Sequence, residues 1–312
     1  MLDIFAITLP IYLIILFGYV SVRTGYLKED TISALSRFTV RISLPTLIFS
    51  AIALSGSDEA LNWLLIFGYM IASLMALFAG YGVMRYRFRQ DRGASWIHGL
   101  AVANSNSGFI GFSIASLVFP ETALSVLAWI MIVENVVVIP FAIVAAEISS
   151  GEEPDLAKAV RKAFLSFVRN PLVVAVALAL AVRLSGIALP ERLATTVKMV
   201  AAVAPVVALF VVGGIIAQFS ISPFWRRTAT IVSGKLILHP VLVFVVLALL
   251  IGGSDPFVLT AVLIASVPML SIYPILGATY GAEQICATAL VVSTITSFFS
   301  VSALIWLMQQ FT

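Results

Sequence analysis

The chain has 312 residues, of which 61% are hydrophobic and only 11% charged, against roughly 25% charged residues in a soluble domain. A surface so poor in charge cannot be wetted, and apolar runs extend along the whole sequence, which excludes both a soluble globular protein and a soluble domain with an appended anchor. The balance of 18 Lys+Arg against 15 Asp+Glu lies in short loops beside apolar runs, the orientation signal of a membrane protein and no sign of nucleic-acid binding.

Asp3 leads straight into the first apolar run, with no basic n-region and no small-residue cleavage site, so no cleaved signal peptide is expected. A spanning helix needs about 20 mostly apolar residues. Ten such runs follow in order, at approximately 3–22, 32–54, 61–84, 97–119, 123–147, 171–188, 194–217, 229–251, 256–279 and 285–308. The chain therefore reads as an all-α polytopic membrane protein. Arg37 and Arg41, one turn apart, make the second run the least apolar and read as interfacial anchors or gates. Residues 148–170 carry Glu152, Glu153, Asp155, Lys158, Arg161, Lys162 and Arg169 on a helical spacing and read as an interfacial or cytoplasmic connecting helix. Gln218, at the end of the seventh run, reads as interfacial. The single cysteine, Cys286, lies inside the tenth run and leaves no intramolecular disulfide or cysteine metal cluster to form.

Basic residues gather after the odd-numbered runs: Arg23 and Lys28, then Arg85, Arg87, Arg89 and Arg92, then Lys158 to Arg169, then Arg226 and Arg227. The alternate loops carry Asp58 and Glu59, Glu121, and Asp255; the loop after the sixth run departs from this, with Arg183, Arg192 and Lys198. The odd-numbered loops are thus expected in the cytoplasm and both termini outside.

A shift of about 161 residues brings several features into register. Pro10 falls on Pro171, Val22-Arg23 close to Val182-Arg183, Leu44-Pro45 near Ala204-Pro205, and Phe119-Pro120 on Tyr280-Gly281. Two halves follow, 1–147 and 171–312, joined by the connecting segment. Five spans in each half make the halves face opposite ways, an inverted repeat of the kind secondary transporters use.

Two runs are interrupted. The fourth contains Asn104-Ser105-Asn106-Ser107-Gly108-Phe109-Ile110-Gly111, a stretch of poor helix formers. The ninth contains Pro268 and Pro274 with Ser271 and Tyr273 between them, and each proline removes a backbone donor. Under the same shift Pro268 falls on Ser107, so the breaks occupy equivalent places. Small residues and prolines also serve close helix packing. Two breaks in register favour a site, because unwound backbone at membrane depth is tolerated only beside protein or water.

Asn106-Ser-Gly-Phe-Ile-Gly111 resembles the Asn-x-Gly-Phe-x-Gly pattern of the auxin efflux carrier family, which includes bacterial malonate and malate permeases and plant PIN auxin exporters. Leu44-Pro45, Lys235 five residues before Pro240, and Pro268 followed by Tyr280-Gly281 are similar to further family features, in the same order along essentially the whole chain. The resemblance implies ten helices in two inverted five-helix repeats with crossed broken helices four and nine. It also implies a scaffold of spans one, two, six and seven, an elevator-like moving part, a homodimer, a small organic anion as substrate and a bacterial inner membrane location. Ser113 stands where PIN proteins usually have proline in the fourth-helix break, and the long hydrophilic loop of many plant members is missing. A bacterial-type carboxylate carrier is expected rather than an auxin exporter.

Asn104, Asn106, Ser107, Gly108, Pro268, Ser271 and Tyr273 are the expected substrate-binding residues; the neutral amides and hydroxyls of Asn104, Asn106, Ser107 and Ser271 orient a carboxylate, with Asn106 foremost. Tyr273 either lines the cavity or packs. Lys235 either snorkels to the interface or attracts the substrate anion. Glu134, with Asn135, sits at the centre of the fifth run and either carries a coupling proton or cation or pairs structurally with Lys235 or an arginine. His239 is either a proton-linked partner or a hydrogen-bonded interior histidine. A cation/proton antiporter or sodium-coupled symporter of similar architecture is the competing reading; it calls for carboxylates at the crossing, where the segments hold no Asp or Glu. No G-x-S-x-G, H-E-x-x-H or phosphate-binding loop occurs, so neither an enzyme nor direct ATP coupling is expected, and no cofactor or metal is.

Overall fold

The computed structural model describes residues 2–54, 61–150, 161, 165, 168–219 and 224–310. Among the described residues the regular structure is helical, apart from one isolated antiparallel bridge. In chain order the helices are α1 (Leu2–Arg23), α2 (Glu29–Ala53), α3 (Trp63–Arg87), α4 (Arg92–Ala103), α5 (Ser107–Val118) and α6 (Ala123–Ser150). After the connecting segment come α7 (Pro171–Ser185), α8 (Glu191–Ala217), α9 (Trp225–Leu250), α10 (Pro256–Ala265), α11 (Tyr273–Ala278) and α12 (Glu283–Met308). Six of these, α2, α3, α6, α8, α9 and α12, are long and apolar enough to cross a membrane. Apart from Arg161, Arg169 and the three residues that end α6, the charged connecting segment lies largely outside the described residues, as do Asp58 and Glu59.

Local chemistry sets the helix ends. Asn62, Asn170 and Asp255 cap α3, α7 and α10, each side chain accepting from a backbone N–H of the first turn. Pro171 and Pro256 follow the latter two caps, at the position where a missing N–H costs nothing. The sixth apolar run, expected to reach 188, stops at Ser185 because Gly186 turns left-handed at φ 67°.

Wide π-turns interrupt the long helices, three of them just before a proline. The N–H of Leu44, Ile139 and His239 reaches back five residues, to the carbonyls of Thr39, Glu134 and Gly234. Pro45, Pro140 and Pro240 come next in each case. A proline lacks its own N–H and crowds the preceding turn, and one extra residue in that turn relieves both. Glu134 opens one of these turns and Lys235 lies in another.

Helix α1 runs along α8, α7 along α2, and α3 packs on both α4 and α9. At the α1–α8 contact Gly18 lies against the carbonyl of Phe210 and Gly213 against that of Ile15, so a methyl group at either would overlap backbone. Small residues of this kind let membrane helices approach closely. Outward faces are apolar: Leu9, Leu13, Leu16, Phe17 and Val20 on α1, and Leu64, Phe67, Ile71, Met75 and Phe78 on α3, are all exposed. Stripes of that extent fit lipid rather than water, and the chain is a multi-pass membrane protein.

Candidate functional site at the crossing of two helix breaks

The fourth and ninth runs are each two helices with an irregular segment between them, and the two segments meet. Asn104 leaves α4 in extended conformation (φ −115°, ψ 133°). Ser105 then forms the antiparallel bridge with Met269, and the Asn106 N–H donates to the carbonyl of Pro268 at 2.8 Å. Backbone groups released by one break are thus satisfied by the other, the requirement for unwound chain away from water. The side chains continue the pairing: Asn106 Nδ2 donates to Ser271 Oγ at 2.7 Å.

Ser105 joins this crossing to two buried charges. Its N–H donates to Glu134 Oε1 at 3.3 Å, and its Oγ accepts from Lys235 Nζ at 2.7 Å. Glu134, from α6, also accepts from Ser107 Oγ at 2.7 Å and from Tyr69 OH at 3.1 Å. Its carboxylate therefore sits at the positive N-terminal end of α5. Lys235, from α9, is fully buried and donates to the carbonyl of Ala265, the last residue of α10, at 2.7 Å. That carbonyl is at the negative C-terminal end of a half-helix. The N-terminal end of α5 and the C-terminal end of α10 thus each face a protein charge of the sign they attract.

Lys235 Nζ also lies 2.9 Å from His239 Nδ1. An ammonium has only protons to offer, so Nδ1 accepts and the imidazole is the neutral Nε2–H tautomer. Nε2 then donates to Ser73 Oγ at 3.1 Å, and Tyr69 meets the same ring edge-on at 5.8 Å.

The structure gathers Asn106, Ser107, Pro268, Ser271, Glu134, Lys235 and His239 into one network. Lys235 does not snorkel; it is buried and bonded to Ser105 and Ala265 at the crossing. Glu134 and Lys235 share Ser105 in place of a direct ion pair. A carboxylate does meet the crossing, supplied by α6 rather than by the crossing segments. Asn104 is buried there, its Nδ2 without a partner among the described residues. Gly108 lies against Leu44 and Met131, where it permits close packing. Tyr273 is buried and bonded to His98 on α4 at 2.5 Å, tying α11 to α4. Asn135 faces away: it donates to the Met131 carbonyl at 2.9 Å, accepts from Asn170 at 3.2 Å, and lines a separate apolar cavity of about 280 Å³. Arg37 and Arg41 are exposed on α2.

Four contributors escape a linear reading: Ser105, Tyr69, Ser73 and His98. Tyr69 and Ser73 carry a faint signal, two polar groups four residues apart on one face of an otherwise apolar helix.

A family model described as "Membrane transport protein" matches residues 3–306. A protein of Rhizobium meliloti (strain 1021) named "Putative malonate transporter" is 27% identical over 315 residues, covering 99% of this chain and 97% of the relative. "Uncharacterized transporter YfdV" of Escherichia coli (strain K12) is 26% identical over 255 residues, covering 78% and 76%. An "Uncharacterized transporter" of Methanothermobacter thermautotrophicus is 27% identical over 121 residues, covering 37% and 38%.

Proposed function

This chain belongs to the membrane transport protein family, the auxin efflux carriers of the sequence resemblance, and on that premise we propose that it is a secondary transporter of a small dicarboxylate of the malonate class. The family is one of transporters, not enzymes. The crossing carries the reading. Asn106 and Ser271, 6% and 8% exposed, are among its least buried polar groups, and among the described residues their side chains are bonded to each other across the two breaks. A carboxylate that takes the Asn106 amide would exchange one hydrogen bond for another, so binding at this point costs little polar desolvation.

The architecture we infer is ten spans in two inverted repeats working by alternating access, with an elevator-like displacement of the crossing. The contact pattern supports it. An inverted repeat that relates spans one to six and two to seven maps the α1–α8 contact onto the α7–α2 contact, and both are extensive. The same operation maps the α5–α6 contact onto the α11–α12 contact, and both are present. The orientation we infer keeps the odd-numbered loops inside a bacterial inner membrane. Arg87 at the end of α3 and Arg226 and Arg227 at the start of α9 line one cleft of about 960 Å³, as a common basic side requires. A homodimer is the assembly we expect.

Thermal unfolding of the purified protein with malonate, longer dicarboxylates, aromatic acids, Na⁺ and Li⁺ tests this reading, since a ligand of the folded state raises the unfolding midpoint. Saturable stabilisation by a dicarboxylate, lost in Asn106→Ala, is the expected result. Stabilisation by Na⁺ or Li⁺ alone would favour the cation-coupled antiporter or symporter, the reading that the Glu134 carboxylate at the crossing supports.

A further inference from the structure

Helix α10 ends at Ala265 in the interior, and its last carbonyls have no following turn to bond. The Ser266 N–H takes the carbonyls of Val262 and Leu263, and Ser266 Oγ donates to the Leu263 carbonyl. The Ala265 carbonyl is instead turned to Lys235, whose three ammonium protons meet three acceptors: Ala265 O at 2.7 Å, Ser105 Oγ at 2.7 Å and His239 Nδ1 at 2.9 Å. One residue further out, through the Ser105 N–H, stands the Glu134 carboxylate.

A half-helix C-terminal carbonyl, a hydroxyl oxygen on unwound chain and a nearby carboxylate are also what transporters assemble to hold a small monovalent cation at the midplane. Here a side chain delivers the positive charge. Lys235 reaches the position from the π-turn of α9, which sets its side chain inward one turn before Pro240. Its ammonium matches the acceptors in number as well as sign.

We propose that Lys235 is a tethered cation. Its ammonium occupies a site of the alkali-cation class at the crossing, so that the native protein takes no Na⁺ there. Shortening the side chain opens that site to Na⁺ or Li⁺. The inference deepens the transport reading by assigning the ion requirement of the same crossing, and it is testable by binding alone.

The experiment is thermal unfolding of wild type, Lys235→Ala and Lys235→Asn in NaCl, LiCl and choline chloride at equal ionic strength, each sample purified in both Na⁺ and choline. The expected wild-type midpoint is the same in Na⁺ and choline. The variants are expected to unfold lower in choline and to recover with rising Na⁺ to a plateau, as binding to the folded state requires. Recovery of folded variant only from Na⁺ preparations is the same result in stronger form. Variants with equal midpoints in the two salts overturn the proposal. So do variants that fail to fold in both, because Na⁺ then cannot stand in for the ammonium. A saturable Na⁺ effect in wild type that Ser105→Ala removes overturns it as well. Malonate is titrated into the same wild-type samples. A negative sodium result beside intact malonate stabilisation removes the tethered cation and leaves the carboxylate reading standing.

Discussion

Glu134 and Lys235 are joined through one serine: the carboxylate takes the backbone N–H of Ser105 and the ammonium takes its hydroxyl. Because Ser105 also pairs with Met269, any motion that separates the two breaks disturbs both charges. Burying two charges costs several kcal/mol apiece unless each is hydrogen-bonded, and here the bonds come from the crossing itself.

Removing the acceptor leaves the donors behind. Glu134→Ala strands the Ser105 N–H and the Ser107 and Tyr69 hydroxyls. It is expected to destabilise the protein by about 3–5 kcal/mol, the cost of breaking a buried charged network. Glu134→Gln keeps an accepting oxygen and should lose far less. Unfolding midpoints of the two variants in detergent check the order.

Asn106→Ala removes the amide that reaches Ser271 and the proposed substrate. Transport of malonate into proteoliposomes is expected to fall to background. Loss of a single partly accessible hydrogen bond costs about 1 kcal/mol of stability, so the folded protein should survive. Normal uptake by this variant would remove Asn106 from the site.

Tyr273→Phe separates packing from substrate contact. The hydroxyl bonds His98 Nδ1 deep between α11 and α4, and leaving that nitrogen unpaired is expected to cost about 1–3 kcal/mol. Substrate affinity should be unchanged. A selective loss of malonate stabilisation would return Tyr273 to the binding surface.

Gly213→Val places a branched side chain against the Ile15 carbonyl on α1. Backbone cannot yield as a flexible side chain does, so the α1–α8 contact must open. A lowered unfolding midpoint is expected, with a cost at or above the upper end of the ~1–3 kcal/mol typical of overpacking. Gly82→Val, where a Cβ meets nothing within 4 Å, is the control and should leave the contact intact.

The amino-acid sequence by itself determined the membrane class and the places where the fourth and ninth apolar runs break. Composition and run length report transfer into lipid directly, and Asn, Gly and Pro interrupt helices for local backbone reasons. Those effects need no knowledge of neighbours. Tertiary structure alone decided that the two breaks bond each other, that Lys235 is buried and bonded at the crossing, and that Glu134 comes to the crossing while Asn135 beside it faces a different cavity. Each of those outcomes is a choice of helix face and partner, made where every buried polar group must be satisfied by protein. Ser105 is the clearest case: in sequence it is one serine among several, and in the fold it is the point where two helix breaks and two opposite charges meet.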